Sequence, residues 1–273
     1  RLGLVGSEMC IRDRVYLVKD KIDIGFIGAG NLGRHAILGL IDSYNIKVSD
    51  PVQNQEIINL GIKYLSIEQL CKDSDVIFLT IKPNISEEIL SQISDYIDDK
   101  LIISFIAGKS LKKLEKLLSS KNIIRAMPSL GISNGLSPIA ICSNQGVNAS
   151  PGEKILNNLG RCMKIEESKF DAFTSIFGAG PAYISYIAEL LSGIASENGF
   201  ENSESLIGEV IGGTYEIHNS KNRPSFEKIK SMVASKGGVT EAALKKIESS
   251  GMDKVWKAAI EDAIEKSKKL GGN

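Results

Sequence analysis

The chain has 273 residues, 42% hydrophobic and 24% charged, which is the make-up of an ordinary globular protein long enough for one large or two medium domains. Thirty-three basic residues balance thirty-three acidic ones, so no net field attracts nucleic acid or an anionic membrane, and neither is expected as a partner. The longest strongly apolar run, DVIFLTI at 75–81, is too short to cross a bilayer, and the expectation is a cytoplasmic protein.

In chain order, residues 1–14 (RLGLVGSEMCIRDR) follow neither the helical nor the strand period, and residues 1–20 are expected to lie outside the fold. From Asp23 the pattern becomes regular. DIGFI runs into a glycine-rich turn, a helical stretch with Ile37, Leu40 and Ile41 follows, and NIKVSD gives a second strand. Apolar runs at 75–81, 101–107, 122–127 and 138–142 then alternate with helical segments such as ISEEILSQISDYI and SLKKLEKLL. This alternation predicts an α/β domain over 21–167 with a mainly parallel, doubly wound sheet buried on both faces.

Past residue 168 the strand signals stop. PAYISYIAELLSGIASENGF places Ile184, Ile187, Leu190, Leu191 and Ile194 on one helical face, with Pro181 in its first turn. Four further amphipathic stretches carry the helical pattern to the end, so residues 168–273 are predicted to be all helical. Helices with broad apolar faces often complete their core against a second subunit, which predicts a homodimer.

Four cysteines (Cys10, Cys71, Cys142, Cys162) lie far apart with no C-x-x-C pair, which predicts reduced thiols and no metal site. His35 and His218 are the only histidines, so a reaction near neutral pH proceeds without a histidine acid or base or uses one of these two. His35, one turn into the first helix, reads as a surface residue or as one just behind the binding loop, and His218 as part of a polar helix end. Tyr183, on an apolar helix, reads as core with its hydroxyl satisfied.

Gly28-Ala29-Gly30-Asn31-Leu32-Gly33 has the G-x-G-x-x-G spacing between a strand and a helix. Gly28 permits the tight turn, Gly30 lets backbone approach a pyrophosphate, and Gly33 allows close packing of helix on sheet. The helix start, at Asn31 and Leu32, offers N–H groups and a positive dipole end to phosphates.

Asp50 ends the second strand, seventeen residues after Gly33, where an acid meets the adenosine ribose. A ribose hydrogen bond contributes about 1–3 kcal/mol. A carboxylate ~4 Å from a 2′-phosphate is repelled by about 4 kcal/mol at an effective dielectric of ~20. The expected cofactor is NADH or NADPH, with NADH slightly preferred because of Asp50. Lys82-Pro83 and Ala107-Gly108 follow apolar runs at strand ends, where open sheets bind ligands, although Lys82 alone reads as a solvated lysine.

GFIGAGNLG, TIKP, IIRAMPSLG, FGAGPAYISYIAEL and MVASKGGVTEAALKK occur in this order, and together they resemble the pyrroline-5-carboxylate reductase family from about Asp23 to Leu270. The most specific parts are Gly178–Tyr183 and Ser235–Thr240. The resemblance implies an N-terminal Rossmann-type domain, a C-terminal dimerisation domain, dimers assembling into larger rings, and NAD(P)H-dependent reduction of Δ1-pyrroline-5-carboxylate to L-proline. It also implies that Ser235 and the backbone around Gly237, Gly238 and Val239 hold the substrate carboxylate while the Thr240 hydroxyl addresses the ring nitrogen.

Lys236 stands where the family usually has proline, Ser129 where it has asparagine, and the loop at 218–233 departs from the common form. These differences leave two alternatives: a reductase of a related or larger cyclic imino acid, and a non-catalytic nucleotide-binding paralogue. A hydroxyacid dehydrogenase would want a lysine or histidine on the first helix of the second domain, and GPAYISYIAELL has neither.

Overall fold

The structure is a computed structural model that describes residues 21–97 and 100–271. The expectation for residues 1–20, and Cys10 with it, lies outside the described residues. Eight strands form one sheet: β1 (Asp23–Ile27), β2 (Asn45–Ser49), β3 (Lys63–Tyr64), β4 (Val76–Leu79), β5 (Leu101–Ser104), β6 (Ile123–Met127), β7 (Ser137–Ser143) and β8 (Gly160–Lys164), in the spatial order β3-β2-β1-β4-β5-β6-β7-β8. Every neighbouring pair is parallel except β6 and β7.

The helices between the strands are α1 (Asn31–Leu40), α2 (Gln55–Asn59), α3 (Ile67–Lys72), α4 (Ser86–Ile93), α5 (Leu111–Leu118) and α6 (Ser150–Leu156). Side chains with strong turn chemistry set their starts. Asn54 caps α2, Ser66 caps α3 and Ser110 caps α5, each accepting a backbone N–H that the first turn leaves unpaired.

Strand side chains alternate between two apolar layers. Phe26, Phe78, Ile103 and Ile124 pack with Ile37 and Leu40 of α1 and Ile155 of α6, and Phe26 stacks on Phe78 at 4.7 Å between ring centres. Ile27, Ile77, Leu79 and Ile102 face the other way, against Leu70, Leu90 and Leu114 of α3, α4 and α5. The central strands are thus buried on both sides, as continuous apolar runs require.

After Lys164 the chain is helical: α7 (Phe170–Phe173), a π-helical turn at Thr174–Gly178, α8 (Gly180–Glu197), α9 (Ser203–Asn219), α10 (Phe226–Val233), α11 (Val239–Ser249) and α12 (Met252–Gly271). Phe170 and Phe173 dock this half onto Met127 and Ala140 of the sheet. Beyond Phe173, Ile229 is the one buried apolar side chain among the described residues. The apolar face of α8 is open on the single chain, with Ile184 56% and Ile194 55% exposed. Among the described residues no helix is long and apolar enough to cross a membrane.

Candidate functional site

Strands β1, β4 and β5 end in register, with Ile27, Leu79 and Ser104 on one rung of the ladder. The strand order reverses at β1, which has β2 on one side and β4 on the other, so a crevice opens at these carboxyl ends, where doubly wound sheets take ligands. The glycine loop, Lys82-Pro83 and Ala107-Gly108 all leave the sheet along this edge. Lys82 is exposed with no ion-pair partner among the described residues, and Gly108 takes a positive φ of 74°.

The three loop glycines play different roles. Gly28 has φ 96° and its missing Cβ would lie 2.9 Å from the Thr80 carbonyl oxygen, so both conformation and space demand glycine. A Cβ on Gly33 would sit 2.6 Å from the Gly28 carbonyl oxygen and 2.8 Å from the Thr80 hydroxyl. At Gly30 a Cβ would meet nothing within 4 Å. Protein packing therefore leaves Gly30 unconstrained, with open space beside it that a pyrophosphate would fit. Behind that space, α1 starts with no side-chain cap and no acid in its first turn, which leaves the N–H groups at Asn31 and Leu32 open to an anion. The residues fit a dinucleotide.

Two side chains brace this loop. Asp50 accepts the Ala29 N–H at 2.7 Å and the Val52 N–H at 2.8 Å, one on each carboxylate oxygen. The Thr80 hydroxyl, at the end of β4, donates to the Gly28 carbonyl at 2.5 Å. Sequence reasoning assigned Asp50 to the ribose and did not see its hold on the loop; Thr80 was missed altogether, because a threonine at a strand end carries no motif. Close by, Arg34 pairs with Glu56 at 2.5 Å.

The segment around Pro181 approaches the same edge of the sheet. Gly178 faces Met127 and Pro128, where an added Cβ would be at 3.7 Å from the Pro128 carbonyl oxygen. Tyr183 is only half-buried, edge-on to the Trp256 ring at 5.6 Å, and its hydroxyl makes no hydrogen bond within the described residues, contrary to the expected satisfied core tyrosine. A T-shaped aromatic pair holds its ring without using the polar tip. Ser129 is buried, with its N–H donating to the Ser137 hydroxyl at 2.8 Å.

Ser235–Thr240 forms the turn between α10 and α11. Gly237 adopts φ 75°, and Gly238 caps α11 in an extended conformation. The Gly238 N–H donates to the Ser235 carbonyl at 3.0 Å and the Gly237 N–H to Glu241 Oε2 at 2.6 Å. A Cβ on Gly238 would lie 2.5 Å from the Ser235 hydroxyl. The Ser235 and Thr240 hydroxyls have no partner within the described residues, nor do the N–H groups of Val239 and Thr240. No hydrogen bond or ion pair joins this turn to the glycine loop within the described chain.

His218 lies apart from this chemistry, while His35 sits one turn into α1, behind the glycine loop. His35 Nδ1 donates to the Asn31 carbonyl at 2.7 Å, and His218 Nδ1 to the Pro224 carbonyl at 2.9 Å while its ring stacks on Phe226. Burial pushes the Cys71 thiol up to about 11 and the Cys142 thiol up to about 12, so neither is a thiolate near neutral pH.

Residues 167–270 match the model of the pyrroline-5-carboxylate reductase dimerisation family, and residues 23–108 match that of the family described as NADP oxidoreductase coenzyme F420-dependent. Both matches point to a nicotinamide-dinucleotide oxidoreductase that oligomerises through its helical half. The chain is 31% identical over 260 residues to the pyrroline-5-carboxylate reductase of Aquifex aeolicus, covering 90% of this chain and 97% of that protein. It is 30% identical over 269 residues to pyrroline-5-carboxylate reductase 1 of Bacillus subtilis, covering 92% of this chain and 90% of that one. Among solved structures, the Plasmodium falciparum pyrroline carboxylate reductase with NADP bound superposes with a TM-score of 0.83 at 30% identity, over 92% of this chain and 98% of that one. With a crevice at the sheet edge that fits a dinucleotide, a helical half with few buried apolar side chains among the described residues, and likeness along nearly the whole length, the chain belongs to the pyrroline-5-carboxylate reductase family.

Proposed function

We propose that the protein reduces Δ1-pyrroline-5-carboxylate to L-proline at the expense of NADH or NADPH. The observation that carries this reading is the state of the Ser235–Thr240 turn, whose two hydroxyls and two helix-start N–H groups are without partners among the described residues. A carboxylate placed there takes charge-assisted hydrogen bonds of about 1.5–3 kcal/mol each. Ser235 and the N–H groups of Val239 and Thr240, on the turn that Gly237 and Gly238 shape, hold that carboxylate, and the Thr240 hydroxyl orients the ring nitrogen.

The dinucleotide, when bound, supplies the hydride that turns the protonated C=N carbon into the C–H of a secondary amine. Gly28, Gly30, Asn31, Leu32 and Gly33 seat its pyrophosphate, with Asp50 at the ribose and Lys82, Pro83, Ala107 and Gly108 along the crevice. A protonated cyclic imine is already electrophilic, so the protein's task is positioning and exclusion of water, which suits a site without histidine. We place the division between the two domains at 167/168.

Asp50 supports a slight preference for NADH. Each of its oxygens keeps a lone pair beyond the loop bonds, and its charge opposes a 2′-phosphate. The exposed apolar face of α8 supports a homodimer, and rings of dimers follow from the resemblance. Cys71, Cys142 and Cys162, free thiols among the described residues, support a cytoplasmic place of action.

The test is oxidation of NADH and NADPH by purified protein given pyrroline-5-carboxylate. Thr240→Ala should lower kcat with little change in dinucleotide affinity. Folded protein that turns over with neither cofactor overturns the reading. Lys236, exposed and without an ion-pair partner among the described residues, favours a second reading in which a larger cyclic imino acid is accepted; a panel of ring sizes decides between them.

A further inference from the structure

We propose that Glu241 is a positioning residue that holds the substrate turn in its binding shape, an inference that rests on the assignment of Ser235–Thr240 to the substrate carboxylate. The two oxygens of Glu241 have separate tasks: Oε2 accepts the Gly237 N–H at 2.6 Å and Oε1 meets Lys245 Nζ at 3.1 Å. Gly237 is the residue at which the chain reverses, with φ 75°, a conformation that an unrestrained glycine shares with many others. The bond from Glu241, four residues on and in the first turn of α11, ties that reversal to the helix.

Three consequences follow from the geometry. With Gly237 and Gly238 both donating within the chain, the donors left for a carboxylate are Val239 N–H, Thr240 N–H and the Ser235 hydroxyl. The Ser235 hydroxyl is kept over the helix start because Gly238 leaves it room, and it stays there only while the Gly237 turn persists. Lys245 offsets the Glu241 charge on the side away from Gly237, so an acid can stand beside a site for an anion. Lys236, exposed on the turn itself, adds a second cation.

The test compares Glu241→Ala with Glu241→Gln in the full-length protein. The alanine variant should raise the KM for pyrroline-5-carboxylate by about tenfold, with the dinucleotide KM and kcat changed much less, because the turn loses its brace and the anchoring donors lose their alignment. The glutamine variant, whose amide oxygen still accepts the Gly237 N–H, should stay within about threefold of the wild type. Deuterium exchange of the peptide spanning 232–246 should be faster in the alanine variant than in the glutamine variant. An unchanged or lowered imino-acid KM in Glu241→Ala overturns the proposal, as does an equal rise in both variants. Wild-type protein without turnover overturns the functional reading instead, and the exchange comparison then still decides whether Glu241 holds the turn.

Discussion

The guanidinium of Arg125 and the carboxylate of Glu167 meet at 2.9 Å on the seam between the sheet and the helices that follow it. Arg125 is 3% exposed, lies 4.5 Å from the centre of the Phe170 ring, and keeps its Nε buried without a partner among the described residues. The same Glu167 oxygen accepts the Leu111 N–H at 2.6 Å, so one carboxylate ties β6, the start of α5 and the approach to α7 together. Glu167→Ala leaves a buried cation with only an aromatic face and should destabilise the fold by about 2 kcal/mol. Urea unfolding checks this, and a midpoint equal to that of the wild type would show that the pair holds nothing.

Gly30 and Gly33 should separate binding from folding. Gly30→Ala meets no protein atom and should leave the melting temperature unchanged, yet its methyl occupies the pyrophosphate space and should weaken dinucleotide binding by about tenfold or more. Gly33→Ala drives a methyl against the Gly28 carbonyl and should cost about 1–3 kcal/mol of stability as well. Thermal melts beside dinucleotide titrations distinguish the two outcomes.

Asp50→Asn removes a charge while keeping one acceptor for the loop. If the carboxylate sets dinucleotide choice, kcat/KM with NADPH should improve relative to NADH by about fivefold or more. Loss of both cofactors in equal measure would mean that Asp50 acts through the Ala29 N–H alone.

Glu87 makes the acid limb of stability readable. Hydrogen bonds from Lys109 and Lys113, at 2.7 and 2.9 Å, and their charges bring its carboxyl down from 4.5 to about 2. A lowered folded-state value means that the stabilisation is complete above 4.5 and is lost as pH falls from there through about 2. Glu87→Gln should flatten the fall of the urea midpoint over that window and leave the slope above it alone. An unaltered acid limb would show that other carboxylates dominate it.

Much of the α/β half was legible because its signal is local and repeated: apolar runs bounded by turns gave six of the eight strands, and the glycine spacing marked the turn between β1 and α1. β3 is two residues long, and β8, GRCMK, is a partly exposed edge strand, so neither carries an apolar run. The braces of the site were hidden for a different reason. Asp50 to Ala29, Thr80 to Gly28 and Arg125 to Glu167 join residues 21 to 52 positions apart, and no periodicity encodes such pairs. Glu241 carries no motif of its own, and its bond to Gly237 became clear once the turn was folded.

The scarcity of buried apolar side chains beyond Phe173 makes concentration a structural variable for this chain. Helices α8 to α12 bury little within the described chain, so where the proposed dimer covers their apolar faces their melting becomes a bimolecular event. A melting temperature measured at one protein concentration will not hold at another, and for this half of the molecule dilution acts as a denaturant.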